Sequence, residues 1–490
     1  MTAAQSDTAS VGASAALADL SVAELGAGFR SGAFSPVDLL EAVFARIDAF
    51  DGAINAFVFQ DRTASRSMAV ASAARHAARA ALGPLDGIAV SIKDLTPVAG
   101  WPNRRGSLAL AAAGPAEEDA PAVARLREAG CVLIGKTATS EHGSRIVTRS
   151  PLHGVTRNPW ALDRTPGGSS GGAAAAIALG MGTIATGSDG AGSIRIPAAF
   201  CNVVGLKPSF GRVPAWPPSH FMPHAVTGPL ARRIDDLAAA MEVMAQPDPR
   251  DPFAWPVAFE TRAASADPSG LRVAVSADLG VGRTPDPEVA RSLERVASAL
   301  SDAGAIVEAA SPRWPVPPAL PFSVFWTTAY AAYLDLYPPA QAELISPLVQ
   351  EIAARGRAID ILSYHRAVNQ RLAITATAHA FLTRYDAILC PCVIGPAFDI
   401  EREAPSNEVA DDWAWCPYAY VFNLTGQPAL SIPAGFGADG LPIGVQLAAR
   451  IGREDVLLRL GYAVERSTRL CELRPPMLEQ IAHGWTQLSA

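Results

Sequence analysis

The chain has 490 residues, with 40 basic and 47 acidic side chains, a formal net charge of −7, 49% apolar residues and 18% charged ones. That balance excludes a disordered or fibrous chain and gives enough length for a large buried core. Without a basic excess to neutralise phosphates, nucleic acid is not an expected partner.

The opening stretch, MTAAQSDTASVGASAALADL, has no basic residue and no apolar run, so it does not resemble a secretory signal. Residues 1–18 are expected to form a flexible tail, and 19–490 a single domain. Within it the sequence divides into N-terminal helices (19–82), a glycine- and serine-rich core (83–240), a loop (241–270) and a C-terminal half (271–490). Ser35-Pro36 marks a helix start, and VDLLEAVFARIDAF then places apolar residues at helical spacing. A second, Ala/Arg-rich helix is predicted over 62–81. GIAVSI (87–92) reads as a short buried strand that delivers Lys93 and Asp94 at its C-terminal end. A helix over 121–129, stopped by Gly130, precedes the strand CVLIG, and the same helix–glycine–strand pattern recurs over 285–307. The apolar stretch that begins at Ala173 is broken by glycines and reads as a buried helix, not a membrane span. The proline-rich segment 246–270 reads as a surface loop. Alternation of helix and strand points to an α/β fold with a mixed sheet.

The six cysteines (Cys131, Cys201, Cys390, Cys392, Cys416, Cys471) show no C-x-x-C pair, so reduced thiols and a cytoplasmic location are expected. Only three of the 40 basic residues are lysines: Lys93, Lys136 and Lys207. A coding bias that turns surface lysine into arginine leaves lysine where arginine will not serve. Arginine stays protonated, whereas a desolvated lysine loses its proton and acts as a base. At least one of the three is therefore expected to be chemical.

Three patterns compete in the stretch that holds these lysines. Gly130-CVLI-Gly135-Lys136-Thr137 matches a phosphate-binding loop literally, but a helix precedes it and Cys-Val-Leu-Ile favours a strand. Gly168-Ser169-Ser170-Gly171-Gly172 matches a nucleophile elbow at Ser170, but His365, His379 and His483 lack a distinctive turn context. The third pattern combines two serine-bearing glycine turns, PGGSSGG (166–172) and GSDGAGSIRIP (187–197), with a strand-end lysine. Together they supply a nucleophile, a relay and a base without histidine. Consecutive N–H groups of Gly190, Ala191 and Gly192 before Ser193 have the form of an oxyanion hole.

GIAVSIKD (87–94), GKTATSEHG (135–143), RNPW (157–160), PGGSSGGAAAA (166–176), GSDGAGSIRIPAAFCNVVGLKPSFGRV (187–213) and NLTGQPALSIPAGF…GLPIGVQL (423–447) resemble the amidase signature family across nearly the whole chain after residue 20. The resemblance implies that family's fold, a large mixed central sheet covered by helices on both faces. It also implies Ser193 as acyl-accepting nucleophile, Ser169 as a bridging serine held by a cis peptide bond, and Lys93 as the base. Ser170, Asp189 and Arg195 match positions that brace the two loops. Lys207 belongs to the pattern without a chemical role. The family most often has Thr-Gly-Gly-Ser where this chain has Gly190-Ala191-Gly192-Ser193, and alanine at 191 would be strained if that position needs a positive φ.

The implied activity is hydrolysis of a small carboxamide through an acyl-enzyme, without cofactor or metal. His220 and His224 have a metal-like spacing, but Pro223 lies between them and no carboxylate is near in sequence. Aromatic clusters after the signature region favour a hydrophobic or aryl acyl group. Gly143, Ser144, Trp216, Phe221, Trp326 and Cys392 are the candidate substrate contacts. Hydrazide, ester and carbamate hydrolysis remain alternatives, as does the catalytic subunit of a glutamine-dependent amidotransferase. A nucleotide-binding or interaction protein using 130–137 is the reading from another class. The expected partners are the small-molecule amide and a second copy in a homodimer, with neither nucleic acid nor membrane.

Overall fold

Two helices near the start of the chain are capped in the same way. Ser21 and Ser35 each accept a hydrogen bond from the N–H three residues on, and Glu24 and Asp38 at those positions accept from the cap's own N–H. They open α1 (Val22–Ser31) and α2 (Pro36–Ile54). In the computed structural model, which describes residues 17–261, 267–406 and 413–478, β1 (Phe57–Phe59), α3 (Arg62–Ala77) and β2 (Ala89–Lys93) follow. Next come α4 (Pro121–Glu128), β3 (Val132–Thr137), α5 (Gly171–Ala178), β4 (Ile184–Asp189), α6 (Arg195–Cys201), β5 (Val204–Lys207), β6 (Val226–Ala231) and α7 (Ile234–Met244). The second half adds β7 (Arg272–Val275), α8 (Pro287–Asp302), β8 (Ile306–Ala309), α9 (Ala319–Leu334), α10 (Pro347–Arg357) and α11 (Ile361–Leu382). It closes with β9 (Ala387–Pro391), β10 (Ala429–Phe436), β11 (Pro442–Ala449) and α12 (Glu454–Thr468).

The eleven strands form one mixed sheet in the order β1-β3-β2-β4-β6-β5-β10-β11-β9-β7-β8. β2 runs parallel to β3 and β4, and β7 parallel to β8 and β9, while the other neighbours are antiparallel. Because side chains alternate across a strand, each strand feeds two cores. Leu430, Ile432 and Ala434 of β10 and Val445, Leu447 and Ala449 of β11 pack with α1, α2, α7, α8 and α12 on one face. Ala429 and Ala448 turn the other way, toward α9, α10 and α11. This is the α/β architecture that the sequence indicates.

Several boundaries differ from the sequence expectation. Helix α3 ends at Ala77, not 81, and Arg79 beyond it takes a φ of +54°. The apolar run from Ala173 is helical through Ala178, as expected, and then turns at Gly180 and Gly182, with φ of +69° and +138°, into β4. The segment assigned to a loop from 241 begins inside α7, since Met241 and Met244 are buried. Its proline-rich continuation is anchored, with the Arg212 guanidinium 3.8 Å over the Trp255 ring and Phe259 buried. Most of the expected tail lies outside the described residues, but Ala18 is already packed in the core. Among the described residues, no helix is long and apolar enough to cross a membrane.

Helix α9 carries five aromatic residues of the second core, and α10 packs behind it at Gly356, where a Cβ would lie 2.0 Å from the Thr327 carbonyl oxygen. Helix propensity alone makes Gly356→Ala stabilising by about 1 kcal/mol. The collision reverses the sign, because overpacking costs ~1–3 kcal/mol. Urea unfolding should show the variant less stable than the parent; a gain in stability would mean that the two helices do not approach this closely.

Candidate active site

The parallel pair β2 and β4, in register at Val90–Ile184 and Ser91–Ala185, ends on the same side of the sheet. Ligand sites in such sheets gather at the C-terminal ends of parallel strands. Lys93 is the last residue of β2, and its side chain is fully buried. Its Nζ lies 2.7 Å from Ser169 Oγ, 2.8 Å from Ser170 Oγ and 3.0 Å from Ser188 Oγ. Burial pushes the amine from 10.5 down to about 7, against the opposing pull of Asp189. Among the described residues Lys93 makes no ion pair. The peptide bond between Gly168 and Ser169 is cis. A Cβ on Gly168 would lie 2.5 Å from the Val147 carbonyl carbon, so only glycine fits there. Helix α5 follows directly and lies on backbone: a Cβ on Gly172 would meet Ala138 N at 2.6 Å and Ala56 O at 2.7 Å.

Ser193 occupies the turn between β4 and α6, and Ser170 N–H donates to its carbonyl at 3.1 Å, which ties the two serine turns together. Asp189 and Arg195 flank that turn as a fully buried pair, with Nε and Nη2 at 3.0 and 2.9 Å from the two carboxylate oxygens. Burial alone would raise the Asp189 carboxyl, but the Arg195 guanidinium overrides it and holds the group well below the usual range. The same carboxylate accepts from Gly192 N–H at 2.8 Å and Ile194 N–H at 3.2 Å. Arg195 also donates to Ala419 O, Gln446 Oε1 and Asn423 Oδ1 at 2.7–2.8 Å.

A cavity of about 480 Å³ opens over these groups, and Ser169, Ser188, Gly190 and Ser193 all line it. Of the residues expected to contact substrate, Gly143, Trp216, Phe221 and Trp326 line it too. Ser144 and Cys392 do not. Ser144 is buried at the end of a short 3₁₀ turn, and Cys392 lies in the aromatic core, where burial pushes its thiol up to about 12. The expected trio of oxyanion donors also changes. Gly192 N–H is already committed to Asp189, whereas Gly190 lines the cavity. The positive φ of the turn, +110°, falls on Gly192, so Ala191 is unstrained and its methyl is packed in the core.

The competing patterns resolve structurally. Residues 132–137 form the buried strand β3, and Lys136 Nζ is held by Thr96 O at 2.7 Å, Asn103 Oδ1 at 3.1 Å and Asp94 at 3.4 Å, which leaves no phosphate cradle. Lys207 Nζ donates to Pro208 O at 2.9 Å. Ser170 is wedged between Lys93 and the Ser188 carbonyl, not exposed on an elbow. His220 stacks on Tyr333 and His224 on Phe325, so the two imidazoles serve aromatic packing. His365 and His379 lie along α11, and His483 is outside the described residues. Sequence reasoning missed Ser188, whose position at the end of β4 beside Asp189 was the available signal. It also missed Arg105, His142 and His220 in the cavity wall, for which no local pattern exists, whereas Tyr330 and Tyr333 belong to the aromatic clusters expected near the acyl pocket.

The model of the Amidase family matches residues 38–458. An acylamidase of Rhodococcus erythropolis is 38% identical over 468 residues, covering 93% of this chain and 97% of that protein. The 6-aminohexanoate-cyclic-dimer hydrolase of Paenarthrobacter ureafaciens is 34% identical over 490 residues, covering 92% and 95%. The crystal structure of a bacterial aryl acylamidase of the amidase signature enzymes superposes with a TM-score of 0.86 at 27% identity, covering 92% and 97%.

Arg195→Met tests the buried pair. It leaves the Asp189 carboxylate desolvated without its cation, a change worth about 3–5 kcal/mol of stability. Urea unfolding should register that loss; a change under about 1 kcal/mol would mean that the pair does not brace the turn.

Proposed function

The chain belongs to the amidase signature family and hydrolyses amides, and on that premise we propose that Ser193 is the acyl-accepting nucleophile, Ser169 the proton relay and Lys93 the base. The observation that carries this reading is a fully buried amine, held near 7, placed 2.7 Å from a serine hydroxyl that shares a cavity with a second serine. A neutral amine has one lone pair and two N–H groups. Three hydroxyls surround Lys93, and the nearest, on Ser169, is the one positioned to give its proton to that lone pair.

Ser169 passes its proton to Lys93 Nζ and takes the proton of Ser193 Oγ–H as that oxygen attacks the amide carbonyl. Collapse of the tetrahedral intermediate breaks the C–N bond, and the leaving nitrogen receives the proton back from Lys93 through Ser169. Water, deprotonated by the same relay, then cleaves the Ser193 ester to release the carboxylate. The N–H groups of Gly190 and Ala191 remain for the oxyanion, since Gly192 serves Asp189. Trp216, Phe221, Trp326 and Tyr330 in the cavity wall suit a hydrophobic or aryl acyl group. The names of the similar enzymes, an acylamidase and an aryl acylamidase, agree with amide hydrolysis.

Ser193→Ala should abolish turnover of an aryl amide and labelling by a fluorophosphonate in a folded protein. Lys93→Met should lower kcat about 10²–10⁴-fold, the usual contribution of a general base. The free amine is the active form, so parent kcat/KM should rise with pH through an apparent pKa of about 7 and level off above it. Labelling at Ser170 instead of Ser193, or a rate that stays flat down to pH 5, would overturn the assignment.

A further inference from the structure

The cavity wall holds a second polar cluster that takes no part in the proposed proton transfers. Arg105, on the segment after β2, lines the cavity with a φ of +53° and donates from Nη1 to the Tyr333 hydroxyl at 2.9 Å. That hydroxyl also lies 3.2 Å from His142 Nδ1 and 2.7 Å from the Tyr337 hydroxyl. The His220 ring stacks on Tyr333 at 4.1 Å and 17°. His142 N–H donates to the Arg105 carbonyl at 2.9 Å, so the cluster is tied together through backbone as well.

Two features separate this cluster from a structural ion-pair network. Among the described residues no carboxylate stands within 4.0 Å of the Arg105 guanidinium, and Asp94, the acid whose field reaches it, is taken by Lys136 at 3.4 Å. The Nε2 atoms of His142 and His220 are both buried without a hydrogen-bond partner. Burial first, and the Arg105 charge after it, push both imidazoles down to about 3, so they stay neutral and Arg105 is the cluster's cation. A permanently charged, half-buried guanidinium with no carboxylate partner shares one cavity with Ser169 and Ser193, and an anion is what completes it.

We propose that this cluster is a subsite for a carboxylate carried by the substrate away from the scissile amide, with Arg105 as the specificity-determining residue. The inference rests on the amidase reading above and adds the substrate class: amides whose apolar body lies along Trp216, Phe221 and Trp326 and whose remote end is an anion. The carboxylate reaches the cluster either on the acyl side, as in a dicarboxylic acid monoamide, or on the leaving side, as in an N-acylated ω-amino acid. Arg105 offers it the planar fork that carboxylates fit, and the aromatic wall carries the spacer.

Two substrate series of increasing chain length distinguish these sources: dicarboxylic acid monoamides and N-acyl ω-amino acids, each paired with an analogue in which an isopropyl group replaces the carboxylate. In the parent enzyme at least one series should prefer the carboxylate about 10–100-fold in kcat/KM, mostly through KM, as a charge-assisted bond provides. The preference should fall as salt rises. Arg105→Met should reduce it to near parity, and Arg105→Lys should keep part of it. Should Arg105→Met not fold, the parent's preference and the Arg105→Lys comparison carry the test. No preference in either series, or one that survives Arg105→Met, overturns the subsite and leaves the amidase chemistry standing. No hydrolysis of any amide, charged or neutral, overturns both.

Discussion

The arrangement depends most on the fully buried pair of Asp189 and Arg195. Taking both charges out of water is expensive, so such a pair persists only when its remaining hydrogen-bonding capacity is filled. Here the carboxylate takes Gly192 and Ile194 N–H, and the guanidinium takes Ala419, Gln446 and Asn423 oxygens. Asn423 returns the contact by donating to the Asp189 carbonyl and Oδ1. The first half of the chain supplies the Ser193 turn, and β11 and the segment before β10 supply what holds it. Continuity of the sheet from β5 to β10 makes that possible, since it places the two halves side by side. The same pair explains why Gly192 N–H is absent from the cavity.

All three lysines are fully buried, which the scarcity of lysine against arginine foreshadowed. Burial does not by itself pick out the base, because Lys207 is pushed down to about 7 just as Lys93 is, and Lys136 to about 8. Partners separate them. Lys136 has a carboxylate, an amide oxygen and a carbonyl, Lys207 a carbonyl, and Lys93 three hydroxyls at 2.7–3.0 Å with the Ser188 carbonyl further off at 3.5 Å. Only hydroxyls have a proton to give to an amine, so geometry decides what electrostatics leaves tied.

What the sequence disclosed was local. Capped helix starts, the glycine that stops α4 and the strand ending at Lys93 follow from short-range propensities, and contiguous motifs carried the two serine turns. The cavity was legible only in part because it is assembled from segments far apart in sequence. Arg105 meets Tyr333 across 228 positions, and no periodicity records that encounter. Ser144 and Cys392 misled for the opposite reason. Each adjoins a residue of the right region, but Ser144 closes a buried 3₁₀ turn and Cys392, just past the end of β9, packs into the aromatic core. The Gly192 N–H donates to an Asp three residues earlier, a detail of turn geometry that the motif does not encode.

The departure from the family's Thr at position 190 has a spatial cause. A Cβ on Gly190 would lie 3.0 Å from Phe221 Cδ1 and 3.6 Å from the Trp326 ring. The first distance is already tighter than most Cβ contacts, and a threonine's further atoms would press on the same edge-to-face pair, whose centroids are 4.6 Å apart. Glycine there and the aromatic pair over it are therefore one feature, in which a hydroxyl at the rim is exchanged for flat apolar surface beside Ser193. Gly143 makes the same concession on the other serine, since its missing Cβ would stand 3.5 Å from Ser169 Oγ. Two absent side chains, not two added ones, shape the space next to the reacting groups. The polar chemistry that distinguishes one amide from another is then left to more distant residues of the wall.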